Sequence, residues 1–299
     1  MKVYSKSKEK KYWHVIRFGI AKLKRDIQIH RLSRTCLKEI GVTDKKRDTQ
    51  IVVSLTSYPA RINTIHLDIR TLLDQELKPD HVILSLAESQ FPNKEKDLPC
   101  DLLDLVPFGL EINWCEDIRS FKKLIPIYSQ YKNHVIVTAD DDLYYSRDWL
   151  RKLYRSYEEN PDCIQCQIVN VFFTDENKDL YWVRDQWLYH KEPSYLNSLV
   201  GCGGVLYPPN CLYEDIDNKQ LFMQLAPTND DLWFWFMAIL KGTKVKVVKG
   251  RDPMNKPIKE TLESGLCYEN NASGKSPFIE QLTNLLNHYP QVQEILINS

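Results

Sequence analysis

Long apolar runs are missing from this chain of 299 residues. No stretch approaches the ~20 consecutive apolar residues that a membrane-spanning helix needs. Near the N-terminus Arg17 breaks the run Val15-Ile16-Arg17-Phe18, so the unbroken apolar core of a signal peptide is missing too. Those absences lead to the expectation of a cytoplasmic protein, resting at most on the inner face of the cell membrane. Glycine is scarce, with ten in all; G-x-G-x-x-G does not occur, and Gly274-Lys275-Ser276 is not a full G-x-x-x-x-G-K-[ST], since Glu269 stands where that loop needs its first glycine. Phosphate cradles of the Rossmann and Walker kinds are thereby excluded. The eight cysteines are scattered, and Cys163 and Cys166 form a lone C-x-x-C around the strand-forming Ile164-Gln165. With no second pair to complete a zinc knuckle, reduced and buried thiols are expected. Internal repeats are also absent.

Net charge is lacking as well, because forty Lys/Arg balance forty Asp/Glu. The balance hides an asymmetry. Residues 1–48 hold fifteen basic against five acidic side chains, about +10, and the other 251 hold twenty-five against thirty-five, about −10. A basic arm on an acidic body suggests a membrane surface, an acidic partner or self-association; no nucleic-acid partner is expected. Within the arm, residues 10–34 read as an amphipathic helix, with Tyr12, Ile16, Ile20, Leu23 and Ile27 on roughly one face. Such a helix could lie on anionic lipid, or pack on its own domain or a second subunit. Residues 42–49 read as a charged linker.

The body starts at Ile51. Strands are expected over Ile51–Leu55, His81–Ala87, Leu110–Cys115 and His134–Ala139, with helices over 63–75, 121–130 and from a Ser146 cap to Glu159. Their alternation predicts a parallel, doubly wound α/β sheet. Beyond it, Gln165–Val171 reads as a strand and 172–200 as aromatic and irregular. Nine apolar residues, Leu232–Leu240, follow Asn229-Asp230-Asp231 and precede Gly242, the pattern of a capped, buried helix. Thr243–Val248 reads as a strand, and short helical patterns lie near 277–287 and 290–297.

Chemistry concentrates where Val135-Ile136-Val137-Thr138-Ala139 runs into Asp140-Asp141-Asp142. Ligands of open α/β sheets bind at the carboxyl ends of the strands, where these acids emerge. Three adjacent like charges are best tolerated with a cation among them, and hard oxygens suit Mg²⁺ or Mn²⁺ arriving with a substrate's phosphates. A calcium loop starting at Asp140 fails, since its Gly and Glu positions hold Tyr145 and Arg151. A capping cluster for the next helix is the bland alternative. Asp230-Asp231 could likewise cap a helix, or aim a general base into a cleft, with Asp231 preferred over Asp230. Gly201-Cys202-Gly203-Gly204 could be a tight turn or the floor of an acceptor site. Arg61, Arg119, Lys122 and Lys123 follow strands one and three, and could bind a diphosphate or simply be solvated.

Together these residues resemble nucleotide-sugar-dependent glycosyltransferases of the GT-A type, and more closely those of bacterial capsule, O-antigen and exopolysaccharide clusters. Three segments carry the resemblance: Thr56-Ser57-Tyr58-Pro59-Ala60-Arg61, the D-x-D of Thr138-Ala139-Asp140-Asp141-Asp142, and Asp230-Asp231-Leu232-Trp233. It implies a Rossmann-like, mostly parallel central sheet flanked by helices, with an N-terminal helical arm. The implied domains are an arm at 1–48, a catalytic domain at 49–250 and a C-terminal helical extension at 251–299. The catalytic domain would divide into a nucleotide half near 49–160 and an acceptor half near 161–250.

Residue by residue, the resemblance puts Thr56, Ser57, Tyr58, Arg61, Arg119, Lys123, Asp140 and Asp141 on the nucleotide sugar, a UDP-sugar as first expectation. Asp142 and Asp140 would hold Mn²⁺ or Mg²⁺. Asp231, with Asp230 beside it, would be the catalytic base of an inverting enzyme, and Gly203, Gly204 and Trp233 would face a glycan or lipid-linked acceptor. The Glu-Asp and Q-x-x-R-W elements of processive synthases are missing, so single addition is expected. His288 is the sole histidine placed to match the family's frequent C-terminal metal ligand, and nothing around it supports that role. A sugar nucleotidyltransferase and a non-catalytic carbohydrate-binding relative are the rival readings. The first normally carries a glycine-rich loop, which Thr56–Arg61 is not.

Overall fold

The computed structural model describes residues 23, 26–32, 37–183, 188–250, 256–257 and 277–299. Strands Ile51–Thr56 (β1), His81–Ala87 (β2), Leu110–Cys115 (β3) and Val135–Thr138 (β4) pair in parallel in the order β3-β2-β1-β4. Helices Ile65–Leu73 (α1), Cys100–Leu103 (α2) and Ile125–Tyr131 (α3) connect them. The sheet then continues through Ile164–Thr174 (β6), Leu180–Val183 (β7) and Asn197–Tyr207 (β8) in the order β4-β8-β6-β7, all antiparallel, while Val245–Val247 (β9) joins β6 in parallel. One mixed, mostly parallel sheet therefore spans both halves of the body. A short hairpin-like pair, Leu143–Tyr144 (β5) with Lys256–Pro257 (β10), lies off it.

Period-two alternation builds two cores. Val52, Ile83 and Ile136 point to one face, where they meet Ile127, Tyr128 and the apolar helix Asp230–Lys241 (α6). Ile51, Val53, Leu55, Val135 and Val137 point to the other, against Ile65, Ile69 and Leu72 of α1 and Trp149, Leu150 and Leu153 of Trp149–Glu159 (α4). Helix α6 is buried on every side from Leu232 to Ile239. Its start is fixed by Asn229, whose side-chain oxygen accepts the Leu232 N–H, and its end by Gly242 in the left-handed region at φ 84°. Two C-terminal helices, Pro277–His288 (α7) and Pro290–Ile297 (α8), seal this face, with Leu282, Leu285, Val292 and Leu296 inward.

Several expectations need correction. The helix expected over 121–130 begins only at Ile125, after a 3₁₀ turn over Arg119–Lys123, with Pro126 in its first turn. Ser146 does not cap α4 with its hydroxyl, which donates to Asp148 instead. Residues 172–200 are not irregular throughout: they supply the end of β6, β7 and the start of β8, and Lys219–Leu225 (now α5) is a further helix the pattern missed. Residues 42–49 are docked against the body: Thr43 N–H bonds the Pro79 carbonyl, and Arg47 pairs with Asp80 at 2.8 Å. Of the expected arm helix, residues 26–32 are helical, with Leu32 buried and Leu23 and Ile27 exposed; Tyr12, Ile16 and Ile20 lie outside the described residues. Among the described residues no helix is long and apolar enough to cross a membrane.

Candidate active site

Register decides which segments meet. Ser54 of β1 lies beside Thr138 of β4, and the Ala139 N–H reaches the Ser54 carbonyl at 2.9 Å, so both strands end at one edge. There β1 runs into Thr56–Arg61 and β4 into Asp140–Asp142. Strand β8 runs the opposite way with Val205 across from Thr138, which carries residues 201–204 past the same edge. Helix α6 starts there with Asp230 and Asp231.

Two buried cations knit these segments together. Arg61 Nη1 lies 2.5 Å from Asp141 Oδ1 and 3.0 Å from Asp142 Oδ2, and the Ser57 hydroxyl donates to Asp141 Oδ2 at 2.6 Å. The Arg61 guanidinium also stands 5.6 Å from the centre of the Tyr58 ring. Lys123 Nζ lies 2.8 Å from Asp230 Oδ2 and 3.5 Å from both Asp231 Oδ1 and Asp140 Oδ1. Burial alone would lower the Lys123 pKa, but Asp230, Asp231 and Asp140 raise it well above the usual lysine range, so it stays charged. Ser120 donates to Asp230 Oδ1 at 2.8 Å, and the Gly201 N–H donates to Asp231 Oδ2 at 2.8 Å.

Five carboxylates thus face two cations, and the edge keeps an excess of negative charge. Burial pushes Asp142 up to about 6, with repulsion from Asp140 adding and Arg61 opposing. Asp231 is also pushed up to about 6, by burial first, with Lys123 opposing and Asp230 and Asp140 reinforcing. Below them Asp68 of α1 is fully buried with neither carboxyl oxygen hydrogen-bonded, and burial drives its pKa well upward, helped by Asp141, Asp142 and Asp140. Burial of this kind favours the neutral carboxyl.

The donor set fits a hard divalent cation. The Asp140 and Asp142 side chains are 25% and 28% exposed at this edge, Asp140 Oδ1 lying by Lys123 and Asp142 Oδ2 by Arg61. Among the described residues no group of three or more His, Cys, Asp or Glu side chains is placed to hold a metal ion, so the protein would offer two carboxylates at most. The remaining ligands would then be water and substrate oxygens, as Mg²⁺ often keeps.

Not every residue expected at the site faces it. Trp233 is wholly buried, its indole N–H on the Ile216 carbonyl and its ring against Phe222 and Tyr289, so it has no surface to offer an acceptor. Gly203 and Gly204 serve Trp149 rather than an acceptor floor. The Trp149 indole donates to the Gly203 carbonyl at 2.7 Å, and a Cβ on Gly204 would sit 2.5 Å from that ring. Arg119 turns away to the Pro227 carbonyl, and Lys122 pairs with Asp117 at 2.8 Å. The Thr56 hydroxyl is spent on the Ser85 carbonyl of β2. His288 packs on Tyr289 and touches none of the five acids.

Other residues belong to the edge without having been expected there. A Cβ on Gly201 would lie 2.7 Å from both Asp231 Oδ1 and Lys123 Nζ, so only glycine lets the strand approach them. The buried Tyr145 hydroxyl accepts the Asp140 N–H at 2.8 Å and so orients the first acid of the triplet.

Comparison with known proteins gives no family. No family model matches the chain, and no curated protein does. Distant likenesses among solved structures include a CMP:2-keto-3-deoxy-manno-octonic acid synthetase complexed with CTP, at 13% identity and TM-score 0.41, over 76% of this chain and 100% of that one. They also include the mannosyltransferase PcManGT from Pyrobaculum calidifontis in complex with GDP-Man and Mn²⁺, at 12% identity and TM-score 0.44, over 95% of this chain and 82% of that one. At such distances neither likeness says what this chain binds.

Proposed function

We infer that the chain is a metal-dependent glycosyltransferase of the GT-A type, moving a sugar from a nucleoside-diphosphate sugar to a hydroxyl of a glycan or lipid-linked acceptor in surface-polysaccharide synthesis. The observation that carries this reading is the meeting of Asp140–Asp142 with Asp230–Asp231 at one sheet edge, joined by Lys123. Asp142 and Asp140 would hold Mn²⁺ or Mg²⁺. Bound there, the ion supplies neutralisation of charge on the departing nucleoside diphosphate.

The chain's own residues account for the rest. Arg61 ties the Ser57–Arg61 loop to the acid loop, giving the nucleotide base and ribose a rigid wall beside Tyr58. Tyr145 and Lys123 fix Asp140. Asp231, a quarter exposed and held by the Gly201 N–H, takes the proton of the acceptor hydroxyl as that oxygen attacks the anomeric carbon with inversion. A carboxylate pushed up to about 6 is a stronger base than an ordinary one and is still ionised at neutral pH.

Incubation with a panel of nucleotide sugars, Mn²⁺ and candidate acceptors tests the reading. Release of nucleoside diphosphate, abolished by chelator, is expected. Formation of pyrophosphate from a nucleoside triphosphate and a sugar would instead make the chain a nucleotidyltransferase, and no turnover of any donor would leave a binding protein.

A further inference from the structure

Three carboxylates crowd the ammonium of Lys123. Its side chain is 7% exposed, and its ammonium sits among Asp230 at 2.8 Å and Asp231 and Asp140 at 3.5 Å each. Its hydrogen bonds go to Asp140 and Asp231, and Asp230 adds an ion pair, so the positive charge is already balanced by carboxylates. The gap it fills is shaped by Gly201, where a Cβ would come within 2.7 Å of the ammonium and of Asp231 Oδ1 alike. We propose that Lys123 is a positioning residue that links the donor-side acid Asp140 to the acceptor-side pair Asp230–Asp231, and does not bind the donor's diphosphate.

The inference rests on the glycosyltransferase reading and deepens it. A divalent ion at Asp140 and Asp142 and the Lys123 ammonium draw on the same carboxylate, so each weakens the other's hold on it. When the ion takes Asp140, the ammonium keeps Asp230 and Asp231 as its remaining partners. Filling the donor side thereby tightens the grip on the acid that faces the acceptor. The two halves of the reaction are coupled through one buried charge.

Titration with Mn²⁺ alone, followed by electron paramagnetic resonance, separates the possibilities. Lys123→Met should bind Mn²⁺ at least about tenfold more tightly than the unaltered chain, because the competing charge is gone. Unchanged or weakened Mn²⁺ affinity would show that the ammonium and the ion do not compete for Asp140, and either result overturns the inference. If Lys123→Met does not fold, Lys123→Met/Asp230→Asn removes the orphaned buried carboxylate along with the lysine, and the same tightening is expected. Once a donor is known, Lys123→Met should lower kcat without raising the donor KM. A raised KM with kcat retained would mark a diphosphate ligand and refute the assignment. Failure of the unaltered chain to bind Mn²⁺ would instead remove the metal reading itself, a different outcome from an unaltered chain that binds and a variant that binds no better.

Discussion

Asp142 and Asp231 sit in similar surroundings and are asked to do different things. Asp142 is 28% exposed, paired with Arg61 and repelled by Asp140. Asp142→Asn should reduce Mn²⁺ binding by at least about tenfold in a calorimetric titration, since a neutral amide replaces a charged ligand. Asp231 is instead gripped by Lys123 and Gly201, on the side that the proposed reaction gives to the acceptor. Its pKa is raised, so the folded protein holds the proton at pH values where an ordinary carboxyl has lost it. Below about pH 6 the group is protonated and cannot accept; above it, the carboxylate is competent. Turnover at saturating donor should therefore climb as pH rises through about 6, and Asp231→Asn should leave donor affinity intact while abolishing the climb along with most of the rate. A pH–rate profile of the two proteins checks this. Asp68, buried and unpartnered, could not have been singled out from sequence, because one acid in an amphipathic helix reads as solvent-facing.

At the scale of elements, legibility followed how uniform a segment's environment is. Strands β2 and β3 have the expected bounds, β2 because a buried parallel strand is continuous in hydrophobicity, and β3, an edge strand, because its apolar and polar residues alternate. Helix α6 was equally plain, and Asn229 capping it removes the need for Asp230 and Asp231 to do so. Strand β8 was hidden by Gly201, Gly203 and Gly204, which break β-propensity and read as a turn. The same cluster hid the site: sequence could not say that Gly201 faces the acids while its neighbours face Trp149, since that follows from antiparallel register with β4. Gly204, at φ 97° with Trp149 against it, offers a sharp test. Gly204→Ala combines backbone strain with overpacking and should cost about 3 kcal/mol in chemical denaturation. A loss below about 1 kcal/mol would mean the strand relaxes around the methyl group.

Across the whole molecule, the segment read as a linker is part of the body. Gly41 packs so tightly that a Cβ would lie 2.6 Å from that of Leu73, its N–H bonds the Phe108 carbonyl, and Arg47 pairs with the Asp80 that also accepts the Ile51 N–H. A chain starting at residue 37 should therefore keep most of its thermal stability, whereas one starting at residue 49 should melt at least ~5 °C lower. Equal melting temperatures would show the docking to be energetically idle.

That docking has a directional consequence. Pro79, Asp80 and Phe108 precede the strands, and Arg31 meets Asp74 at the same pole, whereas the five acids stand where the strands finish. If the described part of the arm, residues 26–32, marks a bilayer face, the five acids stand at the other end of the strands, about 20 Å away by the length of a six-residue strand. On that arrangement a lipid-borne acceptor would have to carry several sugar units to reach the acids, and turnover across acceptors of increasing length checks it.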